Sequence, residues 1–170
     1  SRRDPDYVPR ARAPQALEEA RRSGAMPPEL QSVQKALSIP DMSRVQIGSV
    51  LFANKPGDGS AREQAASCQR VLGGVANLAA EYATKRYRSN VVNWGMLPFI
   101  AENVKDWNVQ PGDKLYIPGV RAALDSGAEE IPATLIQNGT EKAVTLKLPG
   151  MTREERDIVL AGCLINYYAK

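Results

Sequence analysis

Two rhythms of apolar positions divide the chain. From Ser49 on, Val50, Leu51 and Phe52 make a short apolar run of strand character, Lys55-Pro56-Gly57-Asp58-Gly59 breaks it, and Ala61 to Leu72 is rich in helix formers closed by Gly73-Gly74. The pattern then repeats: Val75 to Ala80 predicts a buried strand, Tyr82 to Trp94 a helix stopped by Gly95, and Met96 to Ile100 a short strand that Pro98 marks as an edge. Two strand, turn, helix units in succession predict a partly parallel sheet. Further on the rhythm becomes that of hairpins. Lys114 to Ile117 reads as a strand after the turn Gln110-Pro111-Gly112-Asp113, and Val120 to Asp125 as a helical turn ending at Gly127. Ile131 to Ile136 and Lys142 to Leu148 flank Asn138-Gly139, the strongest short hairpin signal. Thr152 to Tyr168 predicts one closing helix, its start fixed by a Thr152/Glu155 capping box and its apolar face by Ile158, Leu160, Ala161, Leu164, Ile165 and Tyr168.

The first forty residues follow neither rhythm. Pro5, Pro9, Pro14, Pro27, Pro28 and Pro40 predict only short helices, one over Pro14 to Ser23 and another over Pro28 to Leu37, with Ser1 to Ala13 disordered. We therefore divide the chain into a helical arm or connector at 1–41 and an α/β domain at 42–170. The expected architecture is β/β/α, with a mixed sheet curling toward a barrel. The start at Ser1, without methionine, reads as a processed chain or a piece of a longer one.

Composition narrows the chemistry. A net charge of +3, scattered along the chain, argues against nucleic acid, and no apolar run approaches the roughly 20 residues that span a membrane. Cys68 and Cys163 lack metal-site spacing and read as buried, reduced thiols of a cytoplasmic protein. Histidine is absent, so any proton transfer falls to Ser, Lys, Arg, Tyr or carboxylates.

The chemistry gathers where the first helix begins. Ser60 and Glu63, three apart, have capping-box spacing, which would start the helix at Ser60. A helix start offers unpaired N–H groups, Arg62 adds a guanidinium, and Gly57 and Gly59 let another molecule approach the backbone: a corner suited to an anion. A plain cap explains Ser60 equally well, and a solvated face explains Lys85, Arg86 and Arg88. Tyr87, Trp94 and Phe99 read as packing.

Gly57-Asp58-Gly59-Ser60-Ala61-Arg62-Glu63-Gln64-Ala65-Ala66 resembles the G-x-G-S-S-R-E-H-A-A signature of the aconitase and isopropylmalate isomerase superfamily, in its C-terminal swivelling domain. Leu72-Gly73-Gly74-Val75, Tyr82-Ala83-Thr84 with Arg86 and Asn90, Val92 to Pro98 and Gly112-Asp113-Lys114-Leu115 resemble later segments in the same order, so that Val50 to Ile117 carries the likeness. The resemblance implies a hydro-lyase acting on a small hydroxy-carboxylate. It implies Ser60 as the base, Arg62 as the carboxylate grip, and Ala61 and Gly59 beside the substrate. It further implies a [4Fe-4S] cluster outside this chain, in other domains of the same polypeptide or in a large subunit, with this chain inactive alone and binding no cofactor itself. Ala61 stands where the family has a second serine, and Gln64 where it has histidine. A non-catalytic carboxylate-binding or assembly domain is the alternative.

Overall fold

The computed structural model describes residues 4–169. In chain order these are α1 (Tyr7–Arg22), α2 (Pro28–Ala36), β1 (Ser49–Ala53), α3 (Arg62–Val71), β2 (Gly74–Ala79), α4 (Lys85–Asn93), β3 (Leu97–Ile100), β4 (Lys114–Tyr116), α5 (Val120–Ser126), β5 (Glu130–Gln137), β6 (Thr140–Lys147), α6 (Arg153–Ala161) and α7 (Leu164–Tyr168). The strands form one mixed sheet in the order β1-β2-β3-β6-β5-β4. β1, β2 and β3 run parallel, with Ala53, Ala79 and Ile100 in register at their carboxyl ends, and the rest is antiparallel. The expected α/β class and mixed sheet are present. β1 and β4 lie at opposite ends of the order, so the sheet stays open instead of closing.

Pro98 sits inside the sheet, not at an edge. β3 pairs with β2 along its length but meets β6 only at Ile100–Lys147, so the proline's missing N–H interrupts a ladder that is hardly made on that side. The hairpin forms as expected. Asn138 and Gly139 both have positive φ, 49° and 79°, and Gln137 pairs with Thr140 across a two-residue turn. The main core gathers Leu78, Phe99, Ile131, Leu135, Leu146 and Ile158 from sheet and helices.

Two helix expectations and one of burial are corrected. α1 starts at Tyr7 and runs through Pro14, so residues 7–13 are helical; Ser1 to Arg3 lie outside the described residues. Pro9 falls in its first turn, where the N–H would be unpaired anyway, and Pro14 forgoes a single helical bond. The closing helix keeps its Thr152/Glu155 capping box but ends at Gly162, whose φ of 97° suits glycine alone; Cys163 is extended, and α7 starts afresh. Neither thiol is buried as expected: Cys68 is exposed and Cys163 half-buried.

Glu18 holds α1 to the domain. Its carboxylate accepts from Arg21 at both oxygens (2.8 Å each), from Arg22 Nε (2.8 Å) and from the Ile47 amide (2.9 Å), while Arg21 also donates to the Ser43 carbonyl (2.9 Å). Leu30, Ile39 and Met42 pack beneath, with Leu17, Ile47 and Tyr116 around them. Burial by itself would raise the Glu18 pKa, but the donors from Arg21, Ile47 and Arg22 outweigh it and bring it from 4.5 down to about 2. A depressed carboxylate stabilises the fold above its unfolded pKa and loses that contribution as pH falls toward the folded one. Glu18→Gln should therefore lower stability by about 2–3 kcal/mol at pH 7. In urea titrations the gap to wild type should narrow between pH 4.5 and about 2. A gap that does not change with pH would show that the charge does not hold the arm.

Candidate functional site

The glycine loop lies at the carboxyl ends of the parallel strands, the usual ligand side of an open α/β sheet. It spans 54–61 after β1 and meets the loop at 80–84 after β2. The Ala80 and Glu81 amides donate to the Asn54 carbonyl (3.2 and 3.1 Å), the Ala83 amide donates to the Pro56 carbonyl (2.9 Å), and Lys55 pairs with Glu81 at the exposed rim (2.9 Å). α3 and α4 pack side by side and both begin here. The first turn of α4 carries Lys85 and Arg86 and no acid, and Arg62 opens α3. Cations at a helix start oppose the helix dipole, so their placement serves something other than helix stability.

Gly57 is the fixed point of this corner. Its φ is +99°, and a Cβ there would sit 2.4 Å from Cβ and Cγ of Tyr87, so any side chain is excluded both by conformation and by contact. Its carbonyl accepts two hydrogen bonds, from Arg62 Nε and from Thr84 Oγ1, each at 3.1 Å. Thr84 is also the N-cap of α4, accepting from the Tyr87 amide at 3.2 Å. Beneath, the buried Tyr87 hydroxyl accepts from Asn77 Nδ2 and Gln69 Nε2, both at 2.8 Å. The amide oxygens of Asn77 and Gln69 have no partner among the described residues, and turning either amide over would let the Tyr87 hydroxyl donate as well. Tyr82 donates to the Phe99 carbonyl (3.2 Å), and burial pushes its hydroxyl far above the ordinary tyrosine range, so it is no base at neutral pH.

The expected site residues fall out as follows. Ser60, Ala61 and Gly59 are exposed at the loop tip, and Arg62 is half-buried behind them. The capping box at Ser60 is not formed. Ala61 is the N-cap, its carbonyl accepting from Ala65 (3.0 Å), and no side chain caps the helix. With the loop drawn toward α4 through the Gly57 carbonyl, Ser60 lies one position outside the cap and Glu63 at the second turn position, out of register for reciprocal bonding. Gly59 has open space around it and an ordinary φ, so its lack of a side chain answers no packing demand among the described residues. Arg88 is not on a solvated face: it pairs with Glu155 at 2.7 Å, largely shielded, joining α4 to α6. Thr84 escaped notice because it reads as a residue inside a helix beginning at Tyr82. No glutamate or glutamine follows three positions on to betray the cap.

Among the described residues no three of His, Cys, Asp or Glu converge as metal donors. Iron–sulfur clusters are held by several cysteine thiolates, and the two cysteines of this chain, on separate elements, do not fit one. No described helix is long and apolar enough to cross a membrane.

A strand, glycine loop and helix present a serine and an arginine at the carboxyl ends of the parallel strands of an α/β domain. Residues 28–103 match the family model of the Aconitase C-terminal domain, and this stretch belongs to that family. The match begins well before Val50 and takes in α2. The chain is 32% identical over 130 residues to the methanogen homoaconitase small subunit of Methanocaldococcus jannaschii, covering 75% of this chain and 65% of that protein. It is 28% identical over 123 residues to the mitochondrial homocitrate dehydratase of Saccharomyces cerevisiae, covering 70% of this chain but 16% of that protein.

Proposed function

We propose that this chain is the substrate-closing part of an aconitase-family hydro-lyase, working as a small subunit or as one domain of a longer polypeptide. Its substrate is a hydroxy-carboxylate with more than one carboxylate. Arg62 grips one of these, and the Ser60 hydroxyl, once deprotonated, takes the proton from the carbon next to it. The [4Fe-4S] cluster implied by the resemblance belongs to a partner portion. The two free cysteines suit a reducing compartment such as the cytoplasm. The observation that carries the reading is the placement of an exposed serine two residues from an arginine whose Nε is spent on Gly57, the serine hydroxyl and both terminal arginine nitrogens having no partner among the described residues. Together those two nitrogens offer an end-on bidentate fork to a carboxylate.

Homocitrate, the compound in the name of the yeast relative, is the probe. Calorimetric titration of the full chain should show Arg62→Lys binding at least about tenfold more weakly, since an ammonium cannot reproduce the fork. Equal affinity in the two proteins would remove Arg62 from the site.

A further inference from the structure

We infer that Thr84 is a positioning residue for the carboxylate grip, acting through the Gly57 carbonyl. A backbone carbonyl has two lone pairs, and this one spends both: one on Arg62 Nε and one on Thr84 Oγ1, each at 3.1 Å. The threonine oxygen is fixed in turn, since it accepts from the Tyr87 amide at 3.2 Å while donating to Gly57. The tyrosine behind that amide is buried, with two amide donors on its hydroxyl. A rigid chain therefore runs from the packed start of α4 through Thr84 and Gly57 to the guanidinium. Its effect is to set the plane of a side chain that otherwise loses much rotamer freedom on binding. Arg62 then meets its ligand with the fork already oriented. The same clasp ties the loop after β1 to the loop after β2, so the two halves of the corner move together.

The inference rests on the carboxylate-site reading above, and its test separates the two. In the full chain, proton NMR follows exchange of the Arg62 Nε–H and the shift of its signal on adding homocitrate. Thr84→Val removes the hydroxyl at constant shape; it should speed exchange of that proton about tenfold, as expected when a holding contact opens more often. Homocitrate binding should weaken about three- to tenfold. Thr84→Ser should retain both wild-type values, and Thr84→Ala gives the same comparison as valine should valine not be accommodated. Valine and alanine chains with wild-type exchange, or with faster exchange but unchanged affinity, would overturn the positioning role. A wild-type chain whose Arg62 signal ignores homocitrate would overturn the carboxylate site itself, and the inference with it, whatever Thr84 does to exchange.

Discussion

An enzyme reconstituted from a cluster-bearing partner and a Ser60→Ala chain should lose about 10²–10⁴-fold in kcat, the contribution of a positioned proton-transfer group. The melting temperature of the chain should hardly move. The second half of that expectation comes from the structure. Had Ser60 been the cap of α3, its loss would cost about 0.5–2 kcal/mol, and a fall in turnover could be blamed on a loosened helix. Ala61 holds the cap position instead, with no side-chain bond to the helix start, and Ser60 is exposed. Exposed substitutions of this kind stay within about 0.5 kcal/mol. Kinetics and stability are thereby separated at one position. KM should change less than kcat, as the proposed division of roles between Arg62 and Ser60 requires. Turnover within twofold of wild type would take Ser60 out of the mechanism and leave the corner as a binding or assembly surface.

How much of this was legible beforehand depends on whether a feature is local. The Asn138-Gly139 turn and the Thr152/Glu155 box form as the sequence predicts, because each is settled by the conformational preferences of two to four residues. The order of strands and helices from Ser49 to the start of the closing helix is equally readable, since apolar spacing reports it directly. What escaped was decided by contacts across the fold. The Ser60/Glu63 spacing is a sound local signal, but the Gly57 carbonyl, held by Thr84 from another loop, shifts the helix start out of its register. Pro98 looks like an edge residue until β6 is seen to touch β3 at one pair. Arg88 looks solvated until α6 brings Glu155 beside it. The family signature located the corner, but the clasp that holds it lies in the threonine of a neighbouring loop, which no spacing within the signature announces.

The second large effect is expected far from Ser60, at Gly95. A Cβ built there falls 1.8 Å from the Gly162 carbonyl oxygen and 2.5 Å from its carbon, and Cys163 N is 3.2 Å away. All three are backbone atoms, which cannot swing aside as the end of a side chain can. The φ of +70° adds the ordinary penalty for a left-handed residue other than glycine. The crossing also accounts for the division of the closing helix, since the turn at Gly162 is where the ends of α4 and α6 meet. Gly95→Ala should cost more than about 4 kcal/mol, the range reached only by a named structural collision. For a domain of this size the melting temperature should drop by roughly 10 °C. Gly127→Ala is the matched control: its φ is +80° and nothing lies within 4 Å of the added carbon, so it bears the conformational penalty alone. Urea denaturation of both chains isolates the contact, and a Gly95→Ala loss no larger than that of Gly127→Ala would refute it. Because α4 carries Gly95 beyond its last turn and Thr84 ahead of its first, displacing its far end should also disturb the clasp. Faster Arg62 Nε–H exchange in Gly95→Ala, with Gly127→Ala at the wild-type rate, is the expected sign that the packing of this helix sets the order of the corner.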